Sequence, residues 1–166
     1  MNSQFSMNSQ FSIFKQSKGF TLIEIIVAIS VITIGILGIY AILPRVISVT
    51  SANINRFVVS QLVREGIEIV RNIRDTNWLE GENFDDGLND GNWRVQYNKD
   101  YLLPFSDEPL RIDQGFYNYD QGELTKFKRK VTLSHPQPGV LNVKVQVSWP
   151  GKGSPFEVEE NLYDWR

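Results

Sequence analysis

The chain has 166 residues, a formal net charge of −2 and a pI of about 5.5, so it has no overall positive field that would attract nucleic acid or anionic lipid. It contains no cysteine, which excludes disulfides, thiolate zinc sites and cysteine nucleophiles. Its length accommodates one membrane segment and one modest domain of roughly 100–120 residues.

Residues 1–19 carry Lys15 and Lys18 and no acidic residue. The hexapeptide MNSQFS occurs at 1–6 and again at 7–12, and it is too short and polar to form a structural repeat. Two explanations stay open: a small duplication, or translation that starts at Met7 rather than Met1. The lysines before the next, apolar segment favour an N-terminus on the cytoplasmic side of a membrane.

Residues 20–43 form an apolar run, FTLIEIIVAISVITIGILGIYAIL, in which Glu24 is the one side chain charged at neutral pH. As a helix these 24 residues rise about 36 Å, enough to cross a hydrocarbon core of about 30 Å. The run exceeds the roughly 7–15 residues of a secretory signal and no small-x-small cleavage pattern follows, so we expect it to stay attached. A charge in hydrocarbon costs roughly 2.5–3.5 kcal/mol, so Glu24 requires a partner.

After Pro44 the pattern predicts an amphipathic helix, with apolar residues on one arc at 100° per residue. Two interpretations stay open: the helix packs in a groove of its own domain, or one side packs on the domain while the other meets neighbouring helices. The arc contains Val58, Val59, Leu62, Val63, Gly66, Ile67, Ile69, Val70 and Ile73.

Residues 80–92, EGENFDDGLNDGN, are acidic and glycine-rich, which predicts a loop. Asp86, Asp90 and Gly91 resemble part of a calcium loop. However, Leu88 stands where such a loop needs Asp or Asn, and no Glu follows at the twelfth position. We therefore predict a solvated loop and no metal site.

The remaining residues alternate with period two, which predicts antiparallel strands with one buried face. Turns are predicted at 120–123, 136–139 and 150–155. The sequence therefore predicts an α+β fold, a long N-terminal helix packed on a C-terminal antiparallel sheet. Trp93, Trp149 and Trp165 are predicted core or interface anchors. The apolar stripes are Trp93, Val95 and Tyr97; Phe127, Arg129, Val131 and Leu133; Leu141, Val143, Val145, Val147 and Trp149; and Phe156, Val158, Glu160 and Leu162.

Two groups of polar residues were candidates for chemistry. His135, the single histidine, precedes Pro136 in a predicted turn, so we predict a loop histidine without a catalytic role. Lys126, Lys128 and Lys130 alternate along one strand, where they would bind DNA phosphates or form a solvated face that hinders edge pairing. The second interpretation is favoured.

The segment Lys18–Glu24, KGFTLIE, followed by an unbroken apolar helix, resembles the prepilin cleavage and assembly motif of type IV pilins and type II secretion pseudopilins. The resemblance implies that a prepilin peptidase cleaves between Gly19 and Phe20 and that the new amine of Phe20 is N-methylated. It also implies that Glu24, then the fifth residue, pairs with the N-terminal amine of an adjoining subunit. The alternative that stays open is a Glu24 that is only tolerated, because it lies one turn into the run and its side chain can reach the membrane surface. Gly19 suits this role because a residue without a side chain lets a protease approach the backbone.

The sequence also departs from the family pattern. Many pilins have a Gly and a Pro in the middle of the apolar helix, whereas here Gly35 and Gly38 are followed by Pro44 only at its end. The cysteine pair of many pilins is missing. The runs 66–78 and 162–165 resemble minor pilins of the V type and I-type minor pseudopilins, a softer similarity that favours a minor subunit.

The resemblance implies a non-enzymatic structural subunit without cofactors, a minor pilin or pseudopilin of a type IV pilus-like filament. Its expected partners are prepilin peptidase, other pilin subunits, the inner-membrane assembly machinery, and membrane lipid before assembly. It would cross the cytoplasmic membrane once with its C-terminal domain outside, then join an extracellular or periplasmic filament. The alternative is a membrane-anchored extracytoplasmic binding domain, with nucleic acid as a candidate ligand of the lysines. The predicted segments are a leader at 1–19, a membrane or filament-core helix at 20–43, an amphipathic helix at 44–78 and a sheet domain at 79–166.

Overall fold

A computed structural model describes residues 19–151 and 153–165. The chain divides into two compact units, Met1–Ser48 and Val49–Arg166. Lys15, Lys18 and the MNSQFS repeat of the predicted leader lie outside the described residues. The elements are α1 (Leu22–Glu80), β1 (Gly91–Arg94), β2 (Leu103–Pro104), β3 (Arg111–Asp113), β4 (Phe116–Asn118), β5 (Glu123–Leu124), β6 (Lys128–Gln137), β7 (Val140–Ser148) and β8 (Phe156–Tyr163).

In the first unit, α1 is an apolar helix whose residues are all exposed. It includes an 18-residue window of mean hydropathy 2.7, none of it buried, so its length and composition are sufficient to cross a membrane. Two of its polar side chains are satisfied within the helix: the hydroxyl of Ser30 donates to the Ile26 carbonyl at 2.8 Å, and that of Thr33 to the Ile29 carbonyl at 2.7 Å. This segment is therefore compatible with lipid and lacks a core of its own.

Pro44 lies inside α1, which continues through it without a break. Proline has no backbone N–H, so the carbonyl four residues earlier, that of Tyr40, loses its usual helical partner. The single helix therefore covers both predicted helical segments and contains one weak position between them.

In the second unit, the main sheet has five antiparallel strands in the order β2-β1-β6-β7-β8. Strands β6 and β7 form a hairpin in register from Lys128↔Ser148 to Ser134↔Asn142. Its turn contains Gly139 at φ 76°, a left-handed conformation that favours glycine. Strand β8 pairs with β7 over its whole length and forms one edge of the sheet.

A second sheet of three short strands, in the order β4-β3-β5, was not predicted from the sequence. Its strands have two or three residues, too few for a period-two pattern to be recognised. Gly122, in the predicted turn before β5, has φ 96°, and a Cβ there would lie 2.2 Å from the Ile112 carbonyl oxygen. Glycine is therefore required at this turn for both conformational and steric reasons.

The core of the second unit lies between one face of α1 and the buried faces of β6 and β7, as predicted. Gly66 allows the close approach, since a Cβ there would lie 2.9 Å from Cγ1 of Val145. Farther toward the N-terminus of α1, Ile54 and Phe57 stay 57% and 66% exposed, so this part of the helix keeps apolar surface available to neighbours. The buried helix residues are Val59, Leu62, Val63, Gly66, Ile67, Val70, Ile73, Arg74 and Trp78, and they face Val131, Leu133, Leu141, Val143, Val145 and Val147.

Arg129 occupies a fully buried position in the otherwise apolar stripe of β6. Its Nη1 donates to the Leu62 carbonyl at 3.1 Å and its Nη2 to the Val95 carbonyl at 2.7 Å. Nη1 also lies 3.3 Å from Oε1 of Glu65, a residue of α1. A single guanidinium therefore connects the helix, β6 and the segment after β1.

The prediction for Tyr97 was wrong. Tyr97 does not continue the stripe of β1, which ends at Arg94, and is 48% exposed where it stacks on Phe116. Tertiary contacts determine where a strand ends, and a short strand can end before the alternating sequence pattern does. Trp93 and Trp149 are partly buried against the core, whereas Trp165 is 68% exposed, so of the two predicted roles, core or interface anchor, only the interface role stays a prediction for Trp165.

The acidic segment 80–92 is mostly irregular, as predicted, but it is anchored rather than fully solvated. Phe84 and Leu88 are 7% and 0% exposed and belong to the core. Asn77 at the end of α1 donates to the backbone carbonyl of Asp86 at 2.8 Å. The position at which the calcium-loop pattern needs an oxygen ligand is therefore occupied by a core leucine.

Candidate processing and assembly site

Gly19 and Phe20 precede α1 in non-helical backbone. The Phe20 side chain is 79% exposed, and a Cβ placed on Gly19 would meet no atom within 4 Å. Exposed backbone outside regular structure is the preferred substrate of proteases. The geometry of the predicted scissile bond is thus suited to cleavage, while its actual use as a cleavage site is a proposal taken up below.

Thr21 caps the N-terminus of α1, a role that the sequence interpretation missed. Its Oγ1 accepts a hydrogen bond from the backbone N–H of Glu24 at 3.3 Å. Thr21 and Glu24 have the spacing of a capping box, and a carboxylate in the first turn is favoured by the helix dipole. The signal T-x-x-E before an apolar run was present in the sequence and would have located this cap.

The carboxylate of Glu24 itself has no hydrogen-bond or ion-pair partner anywhere in residues 19–151 and 153–165. The helix dipole stabilises its charge but supplies no counter-ion, and its neighbours in α1 are Ile23 and Ile25. An ionised carboxylate in such surroundings is favoured by a nearby cation. The site is therefore complete as a helix start and incomplete as an ion pair.

The apolar side chains that follow Glu24 surround the helix on all sides. Ile25 is 48% exposed, Ile34 is 72% exposed and Tyr40 is 67% exposed, although these residues lie on different faces. A helix that is apolar all round is stable only inside lipid or among other apolar helices. The apolar surface of the helix requires lipid or other apolar helices, and the Glu24 carboxylate at its N-terminal end requires a cation.

Comparison with known proteins identifies the motif at this site. The family described as the prokaryotic N-terminal methylation motif, the signature of type IV pilins, matches residues 14–40. No curated protein and no solved structure matches the chain.

The chain therefore carries the N-terminal methylation motif, which indicates a type IV pilin-like or pseudopilin precursor that prepilin peptidase processes. The match is to a structural pilin motif and not to an enzyme family. The motif and the apolar helix fit membrane anchoring and assembly with other pilin subunits.

The structure places Lys128 and Lys130 side by side on the solvent face of β6, with Lys126 just before the strand. Nζ of Lys128 donates to Asp107 at 2.7 Å, and Nζ of Lys126 lies 5.6 Å from the ring centroid of Phe127. These three lysines thus form one surface, separate from the processing motif.

Lys144, on β7 between β6 and the edge strand β8, is paired differently. Its Nζ lies 3.2 Å from Oε2 of Glu159, and that bond raises the pKa of Lys144. A hydrogen bond from Asn142, together with Lys144, lowers the pKa of the Glu159 carboxyl. Lys144 is therefore already neutralised by its own sheet and does not extend the basic surface.

His135 lies in β6 and not in the predicted turn, because the strand continues to Gln137. The register shifts between Ser134 and Gln137, where Pro136 cannot donate to a ladder hydrogen bond. Nδ1 of His135 lies 2.6 Å from Oδ1 of Asp90, which ties the acidic segment to the sheet. The contacts of this histidine are structural.

Proposed function

We propose that the chain is a structural subunit, a minor pilin or pseudopilin, of a type IV pilus-like filament that assembles through its N-terminal helix. The observation that carries the proposal is the combination of an exposed Gly19–Phe20 bond, a Glu24 carboxylate without a partner in the described residues 19–151 and 153–165, and an apolar helix exposed on all sides. A simple membrane anchor needs the helix only. The exposed bond and the missing counter-ion of Glu24 fit a chain that is cut and then assembled.

Cleavage after Gly19 would create the missing counter-ion. It would free an amine at Phe20, the one new cation that processing adds to this end of the chain. Glu24 lies four residues on, about 6 Å along a helix, so the amine of a subunit displaced along the filament axis could pair with it. Within an apolar environment such a pair rewards one axial register and penalises others, because a misplaced subunit leaves both charges unpaired.

Before assembly, the helix at 20–43 would cross the cytoplasmic membrane once, with the sheet unit outside. Lipid would cover the apolar side chains that are exposed in the isolated chain. The assembly machinery of the inner membrane would then move the helix from lipid into the apolar core of an extracellular or periplasmic filament. Lipid and the filament core would both cover the same apolar side chains, so the transfer requires no change of fold.

The assignment to a minor subunit is supported by two runs that meet in the structure. Runs 66–78 and 162–165 carry the similarity to V-type pilins and I-type pseudopilins, and their last tryptophans are in contact. The ring centroids of Trp78 and Trp165 are 4.5 Å apart in an edge-on arrangement. The two runs that carry the resemblance are therefore in contact with each other at the end of α1.

Processing can be tested by the intact mass of the full chain expressed in a host with prepilin peptidase and in the same host without it. We expect loss of residues 1–19 and gain of one methyl group in the first host only. An uncut N-terminus in the host with the peptidase contradicts the proposal. Minor status is tested by the stoichiometry of this chain in purified filaments, where a small fraction of all subunits is expected.

A further inference from the structure

The lysine surface borders two adjoining cavities in the second unit. One, of about 200 Å³, is lined by Phe105, Lys130 and Gln146 among others, and the second, of about 390 Å³, is lined by Lys126, Thr125 and Trp149 among others. Lys128 and Ser148 line both cavities. The lysines, Ser148, Phe105 and Trp149 therefore belong to one continuous depression, which we call the lysine groove.

Three lysines line the lysine groove. Lys128 and Lys130 alternate on β6, so their Cα atoms are separated by about 6.6 Å, and Lys126 precedes the strand in a bend. Lys126 and Lys130 have no carboxylate partner within the described residues. The groove thus offers three neighbouring ammonium groups with the Ser148 hydroxyl as an additional donor, whereas the Gln146 amide already donates to Oε2 of Glu157 at 2.7 Å.

Two aromatic residues line the same groove, one in each cavity. Phe105 is 41% exposed. Trp149 is partly buried, and its ring centroid lies 6.5 Å from that of the buried Phe127. Aromatic faces beside a row of cations are the combination with which proteins bind single-stranded nucleic acid, since bases stack on the rings while phosphates meet the cations. A duplex keeps its bases stacked on each other and would leave both rings unused.

One carboxylate competes for this groove. Oδ2 of Asp107 contacts Nζ of Lys128, but the Asp107 side chain is 73% exposed, and exposed pairs of this kind are weak. The other carboxylate at the groove, that of Glu108, pairs with Arg94 instead. A phosphate can therefore displace Asp107 from Lys128 at little cost.

We propose that the lysine groove binds single-stranded nucleic acid. This binding is independent of filament assembly, because every residue of the groove lies in the second unit. With three phosphate contacts, the slope of log K against log salt is about −2 for a single strand. The net charge of −2 opposes a polyanion elsewhere on the chain, so the affinity rests on the local charge of the groove.

The test uses the full processed chain in detergent micelles and a fluorescein-labelled oligo(dT) of about 20 nucleotides, with anisotropy measured over a salt series. Replacing Lys126, Lys128 and Lys130 by Gln should weaken binding by roughly tenfold or more at low salt and flatten the slope. Lys144→Gln, on the neighbouring strand and outside the groove, is the matched control and should change affinity less than about twofold.

Two further variants probe the proposed geometry. Asp107→Asn should strengthen binding by about twofold, because it removes the competitor of the phosphate. Phe105→Ala should weaken it severalfold through loss of stacking. Equal binding of a duplex, stronger binding of an anionic polysaccharide such as heparin, or equal loss in Lys144→Gln would each overturn the proposal, and none of these results would affect the proposed role in a filament.

Discussion

The two units of this chain obtain their stability in opposite ways. Residues 22–48 form part of a helix with every side chain exposed, whereas the unit from Val49 onward buries one face of the same helix against its own sheet. In the first unit the backbone hydrogen bonds are made within the helix, while the side chains stay exposed to lipid or to other subunits. In the second unit the backbone hydrogen bonds and the packing of the core side chains are both made within one chain. A substitution should therefore affect assembly in the first unit and folding in the second.

The largest effect is expected at Glu24. Glu24→Val should leave the protein cleaved and in the membrane but reduce its recovery in sheared filaments by about tenfold or more, because the Phe20 amine of a neighbour loses its counter-ion at a cost of roughly 3–5 kcal/mol. Immunoblots of sheared and membrane fractions measure this ratio.

Thr33→Val is the matched control in the same helix, since the Thr33 hydroxyl only contacts its own Ile29 carbonyl. It should assemble normally. Unchanged recovery of Glu24→Val would show that the carboxylate serves the helix cap alone.

The next largest effect is expected from Arg129→Met in the second unit. It leaves Glu65 without its buried partner and removes the side-chain donor from the Val95 carbonyl, so the free energy of unfolding should fall by about 3–5 kcal/mol. All four tryptophans lie beyond Ser48, so denaturation followed by tryptophan fluorescence reports this unit alone.

The double variant Arg129→Met with Glu65→Leu should recover a large part of that loss, because no charge then stays buried alone. If the loss of stability in the double variant equals the sum of the losses in the two single variants, Arg129 and Glu65 are not energetically coupled. The interpretation of Arg129 and Glu65 as a stabilising ion pair would then be wrong. Membrane insertion should be unchanged in all three variants.

A smaller effect is expected from Gly66→Ala. The new methyl group would lie 2.9 Å from Val145, so the helix and sheet must separate slightly, and the free energy of unfolding should fall by about 1–3 kcal/mol. Gly38→Ala is the matched change in the first unit, where a Cβ meets no atom within 4 Å, and it should leave the tryptophan transition unchanged. A similar loss in both variants would contradict the contrast between the units.

The smallest effect concerns alkaline pH. Burial raises the pKa of Tyr119, although Arg129 and Arg94 oppose the shift. Because its folded-state pKa exceeds the unfolded value of about 10, Tyr119 contributes stability that is present below pH 10 and is lost as pH rises through the folded pKa. Denaturation between about pH 9 and 11 should show this decline, and Tyr119→Phe should reduce it.

The exposed Tyr163, at the end of β8, is the control for this titration. Tyr163→Phe should retain the decline seen in the unsubstituted chain. An equal reduction in both variants would mean that burial of Tyr119 is not its cause.

The sequence was most informative where a pattern repeats. Val143, Val145 and Val147 alternate over enough residues to define a buried face, and the apolar arc of α1 predicted its core side. The three-stranded sheet escaped prediction because its strands are too short for a period, and Leu88 because a single core contact within a polar loop has no pattern. At the candidate site, KGFTLIE identified the residues, whereas the cap at Thr21 became clear only with the helix start in place.

Strand β8 has a further consequence for a protein that acts at high local concentration. It is eight residues long and forms a free edge of the sheet, with Glu157 and Glu159 adjacent to one another on its solvent face. Glu159 is paired with Lys144, whereas Glu157 accepts a hydrogen bond from the uncharged Gln146, so these residues keep a net negative charge at the edge. If two such edges approached each other, these charges would oppose pairing of the backbones. In a crowded filament we therefore expect the edge to resist the amyloid-like pairing that exposed strand edges favour.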